Sequence, residues 1–282
     1  MTGGIADLLH EPPPFVVREA AGLERFAAVM GEDGWDRERI LALPDVDLPY
    51  WYAQRRAMDF VLAEVPFRAG ERLLDVGSNT CWASNIFAGA GLEVVALDIA
   101  SAQMQGLRTA DWFLEEGERY FERVLSTMYD PALADASFDY VFCCEVLHHN
   151  DSAHLGRTLR ELHRLLRPGG RLLVVNEPLR FPLRLKLDHG QEVAEFEGNE
   201  NVYFLHQYLR AARAAGFRVT LPSLTAAAHG PLREPGGHLQ GVKRWLRRSG
   251  AGRGVLRALR VGLFFWRHAI RGDANMTLLG ER

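Results

Sequence analysis

Two aspartates and a glycine at a fixed spacing point most directly to chemistry in this chain. Arg72-Leu-Leu-Asp75-Val-Gly77-Ser78-Asn79-Thr-Cys81 reads as a strand ending in Asp-x-Gly and then a turn of small polar residues. Such a turn sits at the carboxyl edge of a parallel sheet, where a ligand can approach backbone N–H groups and a helix N-terminus. Asp98 follows Gly77 by twenty-one residues and closes the next apolar run. From that place a carboxylate holds ribose hydroxyls. Glu145, His148 and His149 end a later run, facing the same expected crevice. An imidazole there can remove a hydroxyl proton, or it can hydrogen-bond locally and shape the loop. Glu177, in Val175-Asn-Glu-Pro178, is a candidate to touch an acceptor or a solvated acid at the start of a loop.

Aromatic residues could build the acceptor pocket. Tyr50, Trp51 and Tyr52 cluster before a helical stretch, and Tyr203 and His206 stand near the start of another. They can stack on a ring or sugar, or simply pack. Asn201 is a candidate N-cap for the second helix. Cys81, Cys143 and Cys144 are the only cysteines. Adjacent cysteines on a strand point to opposite faces, so core packing is the expectation rather than a metal site, and no metal is assigned.

The elements that must position these groups follow from hydrophobic pattern. Nearly continuous apolar runs at Leu73–Val76, Val94–Leu97, Arg123–Thr127, Tyr140–Cys144 and Leu172–Val175 alternate with helical segments. That is the pattern of strands buried on both faces with helical crossovers. Phe217–Leu221 and Met276–Leu279 read as two late strands. The expected fold is α/β: a Rossmann-like, twisted, mostly parallel sheet of seven strands. Residues 1–69 form a helical N-terminal lid, 70–222 the core, 223–274 a basic helical insertion, and 275–282 the final strand.

Over residues 70 to about 180 the chain resembles the class I S-adenosylmethionine-dependent methyltransferases. Phe138-Asp139-Tyr-Val-Phe-Cys-Cys-Glu145-Val-Leu-His148-His149 is similar to the family's fourth strand and loop, and Leu159–Gly170, ending Arg-Pro168-Gly169-Gly170, to the helix and turn before its fifth. Leu48-Pro-Tyr50-Trp51 and Gly106-Leu107 resemble a subgroup associated with small-molecule or glycan methylation. The resemblance implies S-adenosyl-L-methionine as cofactor. Asp75 and Gly77 would lie by its methionine moiety and Asp98 by the ribose, with Ser78, Asn79, Ile99 and Glu145 also among the cofactor-binding residues. Ser126-Thr127-Met128 stands where the family has Gly-Asp-x, so Thr127 replaces an acid and the Met128 N–H is left to hold adenine. Asn79 and Cys81 replace two glycines of the first loop; Asn tolerates left-handed geometry, whereas a Cys side chain crowds the turn.

The implied activity is in-line methyl transfer to a small molecule, with oxygen of a natural product or saccharide preferred over nitrogen or carbon. His149, His148 and Glu145 are the catalytic candidates; Tyr50, Trp51, Glu177, Tyr203 and His206 are the acceptor candidates. A methyltransferase-like protein with another reaction, such as a cyclisation, and a non-catalytic binding subunit are the alternatives.

Composition sets the outer bounds. With 33 basic and 36 acidic residues the formal charge is −3, which gives no global case for nucleic-acid binding. No apolar stretch approaches the length of a bilayer span, and the first residues lack the pattern of a signal peptide, so a cytoplasmic protein is expected. Residues 231–273 depart from the rest, with ten Lys or Arg against two acids. Leu239, Val242, Trp245 and Leu246, then Val255, Leu256, Leu259, Leu263 and Trp266, recur at helical spacing among arginines. Amphipathic helices usually pack their apolar stripe on the sheet or on a second subunit, and that is the expectation, with a homo-oligomer possible. Membrane contact is the less favoured alternative.

Overall fold

A computed structural model describes residues 4–32, 34–116, 120–180, 201–222, 249–271 and 275–282. The apolar runs become strands: β1 (Ile5–Asp7), β2 (Arg72–Val76), β3 (Glu93–Asp98), β4 (Glu122–Leu125), β5 (Phe138–Cys144), β6 (Leu166–Pro178), β7 (Arg218–Thr220) and β8 (Asn275–Glu281). They form one sheet in the order β1-β4-β3-β2-β5-β6-β8-β7. All pairings are parallel except those of β8 with β6 and with β7. The sheet therefore has eight strands, not the expected seven. The extra one is β1, which pairs Ile5 with Arg123 and Asp7 with Leu125, so residues 1–69 are not helical throughout. β7 and β8 are antiparallel neighbours, and residues 221–274 connect them.

The helices are α1 (Pro14–Glu32), α2 (Arg37–Leu41), α3 (Pro49–Glu64), α4 (Trp82–Gly89), α5 (Ala110–Glu116), α6 (Leu155–Leu165), α7 (Leu205–Ala214) and α8 (Gly250–Arg271). Both faces of the sheet are covered, as alternation of side chains along each strand requires. Leu73, Val94, Ala96, Tyr140 and Phe142 face a core shared with Met58, Val61 and Phe87. Leu74, Val76, Val95, Leu97, Val141 and Cys143 face another shared with Leu159, Leu162 and Tyr208. α3 begins where Pro49 stands at its first position and the preceding Leu48 is extended, the geometry that residues before proline adopt. α7 begins at Leu205, with the Gln207 side chain accepting from the Phe204 N–H at 2.9 Å. Asn201 is thus not its N-cap.

α8 does not pack its described stripe on the sheet, the first of the two expectations for the basic segment. Val255, Leu259 and Leu263 are 50, 57 and 56% exposed, and no described element packs extensively along the helix. Leu239, Val242, Trp245 and Leu246 fall outside the described residues.

Candidate active site

Parallel strands all point their carboxyl ends to one edge, and Asp75, Asp98 and Glu145 meet there from β2, β3 and the end of β5. Between β2 and α4 the chain turns sharply. Gly77 has φ +68°, and a Cβ on it would lie 2.2 Å from Val146 Cγ2, so only glycine fits. Asn79 (φ 45°) and Cys81 (φ 58°) hold left-handed conformations at the positions where the family has glycine. The turn is preserved despite the replacements, and the Cys81 thiol is buried under it rather than crowding the edge. Burial also pushes the Cys81, Cys143 and Cys144 thiols upward, which makes them poor nucleophiles.

The two aspartates are nearly inaccessible to solvent. Asp75 accepts from the Ser84 hydroxyl at 2.5 Å. Burial drives its carboxyl up to about 7, against the lowering effect of Ser84 and with a further push from Asp98. Asp98 accepts from the backbone N–H of Asn79 at 2.8 Å and of Ala100 at 2.9 Å. Burial raises it to about 6, opposed by those N–H groups and reinforced by Glu19. A carboxylate offers about four lone-pair sites, and the backbone N–H groups of Asn79, Ala100 and Ile99 take part of that capacity and leave the rest for a diol.

An S-adenosyl-L-methionine molecule fits these residues. Asn79 donates its side-chain N–H to Gln105 at 2.7 Å, while its Oδ1 and the Thr80 hydroxyl are buried without a hydrogen-bond partner. Buried orphan polar atoms are uncommon and mark where a ligand's polar groups belong. Ser78 and Ile99 flank Gly77 and Asp98 in the chain. Thr127 and Met128 follow β4 at the same edge. Thr127 is buried and bridges to Asp130, and Met128 Sδ accepts from Asn150 Nδ2 at 3.2 Å.

The loop after β5 is held by a network that sequence reasoning did not reveal. Glu177 is wholly buried rather than solvated. It accepts from the N–H groups of Val146 and Leu147 at 3.2 Å and of His148 at 2.6 Å, and from the Tyr208 hydroxyl at 3.1 Å. His148 Nδ1 lies 2.9 Å from the same carboxylate, and the ring is buried. Tyr203 is buried and donates its hydroxyl to the Asn150 carbonyl at 2.6 Å, bracing this loop. His206 is exposed and stacks on Phe204. Glu177, His148 and Tyr203 are thus all engaged in shaping the loop.

His149 is placed differently. Its ring is partly exposed, and Nδ1 stands 2.7 Å from the Glu19 carboxylate of α1. Glu19, buried on α1, was not singled out from sequence. Glu145 sits at φ 50° and accepts from the Tyr50 hydroxyl at 2.5 Å. Burial raises its carboxyl, and the Tyr50 hydroxyl opposes that rise. Trp51 makes edge contacts with Tyr50 and Trp82, at 5.4 and 5.8 Å between ring centroids. The start of α3 therefore reaches Glu145 and the start of α4. Among the described residues, no group of three His, Cys, Asp or Glu is arranged to hold a metal.

Comparison with known proteins gives these contacts a context. A family profile described as a methyltransferase domain matches residues 74–174. The 27-O-demethylrifamycin SV methyltransferase of Amycolatopsis mediterranei is 31% identical over 188 residues, covering 62% of this chain and 68% of that protein. The malonyl-[acyl-carrier protein] O-methyltransferase of Enterobacter lignolyticus is 32% identical over 117 residues. There the chain spans less than half of the relative, 43% of its length. Among solved structures, the [4+2]-cyclase SpnF superposes with a TM-score of 0.59 at 18% identity, over 99% of this chain and 98% of that one. Haemonchus contortus phosphoethanolamine N-methyltransferase 2 in complex with S-adenosyl-L-methionine gives 0.54 at 17% identity, over 92% and 59%. At those identities the likeness is one of fold.

Proposed function

The chain belongs to the class I S-adenosylmethionine-dependent methyltransferases, and we propose that it methylates an oxygen of a small-molecule acceptor, a natural product or a saccharide, with His149 as the base. The observation that carries this reading is the 2.7 Å approach of His149 Nδ1 to Glu19 at the carboxyl edge of the sheet. A hydroxyl must lose its proton as its oxygen attacks, whereas an amine with a free lone pair needs no base to do so. An imidazole with one nitrogen beside a carboxylate can present the other as an acceptor for that proton.

When bound, the cofactor supplies a methyl group already activated on a sulfonium, so the protein contributes alignment, exclusion of water and a base. Asp98 would hold the ribose hydroxyls, with Ile99 beside it. The turn Gly77–Asn79 and Asp75 would hold the methionine moiety, and Thr127 and Met128 the adenine. Tyr50 and Trp51 would close over the reacting groups, with the Tyr50–Glu145 hydrogen bond tying the start of α3 to the loop after β5. His149 Nε2 would take the proton of the acceptor hydroxyl, and the bound cofactor would supply the methyl group. Glu177 holds the backbone that carries His149, and His148 is part of that support rather than of the proton path.

The test begins with cell extract, purified protein and isotope-labelled cofactor, followed by mass spectrometry to find the acceptor. With the acceptor in hand, His149→Asn is expected to slow turnover by about 10²–10⁴-fold, the usual contribution of a general base. Glu19→Gln should have a smaller effect, and cofactor affinity should be nearly unchanged in both. A label on nitrogen or carbon, or full activity in His149→Asn, overturns the reading. The likeness to a cyclase is one of fold and brings no reaction with it.

A further inference from the structure

α8 carries five arginines, Arg253, Arg257, Arg260, Arg267 and Arg271, and no acid over its 22 residues. Val255, Leu259 and Leu263 recur every four residues, so at about 100° per residue they form one stripe. All three are at least half exposed, and with Ala258 and Gly262 they line an open apolar groove. Around the helix, Arg253, Arg257 and Arg260 fall on the side away from that stripe. The helix is not apolar enough to cross a bilayer.

We propose that α8 lies in the surface of an anionic lipid bilayer, its Val255–Leu259–Leu263 stripe in the acyl boundary and its arginines among the headgroups. Like-charge contact weighs against pairing with a second copy of the helix, and the charge distribution and the arginine stems suit a lipid surface. A second copy of the helix would set five arginines against five, a like-charge contact that opposes self-association. The chain as a whole carries −3, so with +5 in α8 the remainder carries −8. An anionic surface would attract this helix, repel the rest, and so orient the molecule with α8 down. Arginine stems also reach along an apolar face while the guanidinium stays in the headgroup layer.

Docking in this orientation bears on the site. Only residues 272–274 separate α8 from β8, whose first residue, Asn275, pairs with Pro178 at the carboxyl end of β6. That is the edge where Glu177 holds the loop of His149. A helix seated in the bilayer keeps this edge within a few residues' reach of the lipid, since three residues span at most about 10 Å. The docking itself does not depend on which reaction the site performs.

Cosedimentation of the full chain with phosphatidylglycerol–phosphatidylcholine vesicles, and with phosphatidylcholine alone, at physiological salt tests the proposal. Most of the protein should pellet with the anionic vesicles and little with the neutral ones. A Val255→Ser, Leu259→Ser, Leu263→Ser variant should lose at least about a hundredfold in partitioning, as removal of three exposed apolar anchors implies. Arg257→Glu should weaken binding to the anionic vesicles and make its loss with salt shallower. Calorimetric binding of S-adenosylhomocysteine should be unchanged in the triple variant, which shows that the fold is intact and separates this result from any failure of the proposed reaction. Three outcomes overturn the proposal: no pelleting of the wild-type chain, equal pelleting of the triple variant, or a wild-type dimer in analytical centrifugation that the triple variant dissociates.

Discussion

Replacing Glu177 with glutamine tests whether the loop of His148 and His149 is held from behind, and the size of the effect can be worked from its contacts. One wholly buried carboxylate receives five donors. Oε1 serves the His148 N–H, His148 Nδ1 and the Tyr208 hydroxyl; Oε2 serves the Val146 and Leu147 N–H groups. Glutamine can place its single oxygen at only one of these positions. With the oxygen at Oε1, its amide N–H groups confront two backbone donors, and each buried donor left unmet costs about 1–3 kcal/mol. Relief from burying a charge offsets part of this. The expected net loss is about 3 kcal/mol, or a urea midpoint lower by about 1 M at an m-value of about 3 kcal/mol/M. Tyr208→Phe removes one donor with its hydroxyl and should cost only about 1 kcal/mol. Hydrogen exchange should show Val146–His148 amides opening first in Glu177→Gln. A stability within about 0.5 kcal/mol of wild type, the range of an ordinary surface substitution, would refute the reasoning.

Three other perturbations have defined outcomes. Gly77→Ala forces a left-handed alanine and a Cβ 2.2 Å from Val146. It should destabilise by about 2–4 kcal/mol in thermal unfolding and weaken cofactor binding. Asp98→Ala removes the carboxylate left to bind a diol. Loss of two charge-assisted hydrogen bonds predicts about a hundredfold or greater fall in calorimetric affinity for S-adenosylhomocysteine. The raised carboxyls predict a pH dependence: Asp75 and Asp98 hold their protons to about 7 and about 6 instead of the ordinary 3.8. Each therefore favours the folded state fully below pH 3.8 and loses that contribution as the pH rises through its folded value. Their part of the melting temperature should fall between pH 4 and 7, and Asp75→Asn should flatten the decline; an unchanged slope would contradict the burial argument.

The strands that position the site were legible because each is buried on both faces, which leaves unbroken apolar runs such as Leu73–Val76 and Val94–Leu97. Asp75, Gly77 and Asp98 were legible from spacing alone. β1 was not: three residues with a single isoleucine carry no period, and only pairing with β4 makes them a strand. Glu177, open in sequence between an acceptor contact and a solvated loop acid, is buried under the loop, and its orientation follows a register shift between Val174 and Glu177 against β8. Such an irregularity re-aims the following side chains and leaves no trace in a two-residue alternation. Glu19 looks in sequence like Glu24 on the same helix, and only the fold brings it to His149. The fate of the basic helix was expected from the commoner behaviour of amphipathic helices; the exposure of Val255, Leu259 and Leu263 is a property of the folded chain.

The most direct measurement follows the methyl carbon itself. Purified protein is incubated with ¹³C-methyl-labelled S-adenosylmethionine and the acceptor recovered from extract, and the product is read by NMR while S-adenosylhomocysteine is quantified. Oxygen methylation predicts a labelled methoxy carbon formed in equal amount to S-adenosylhomocysteine, with the yield collapsing in His149→Asn. Cofactor that binds yet is returned unconsumed with every acceptor fraction, or label found on nitrogen or carbon, would contradict it.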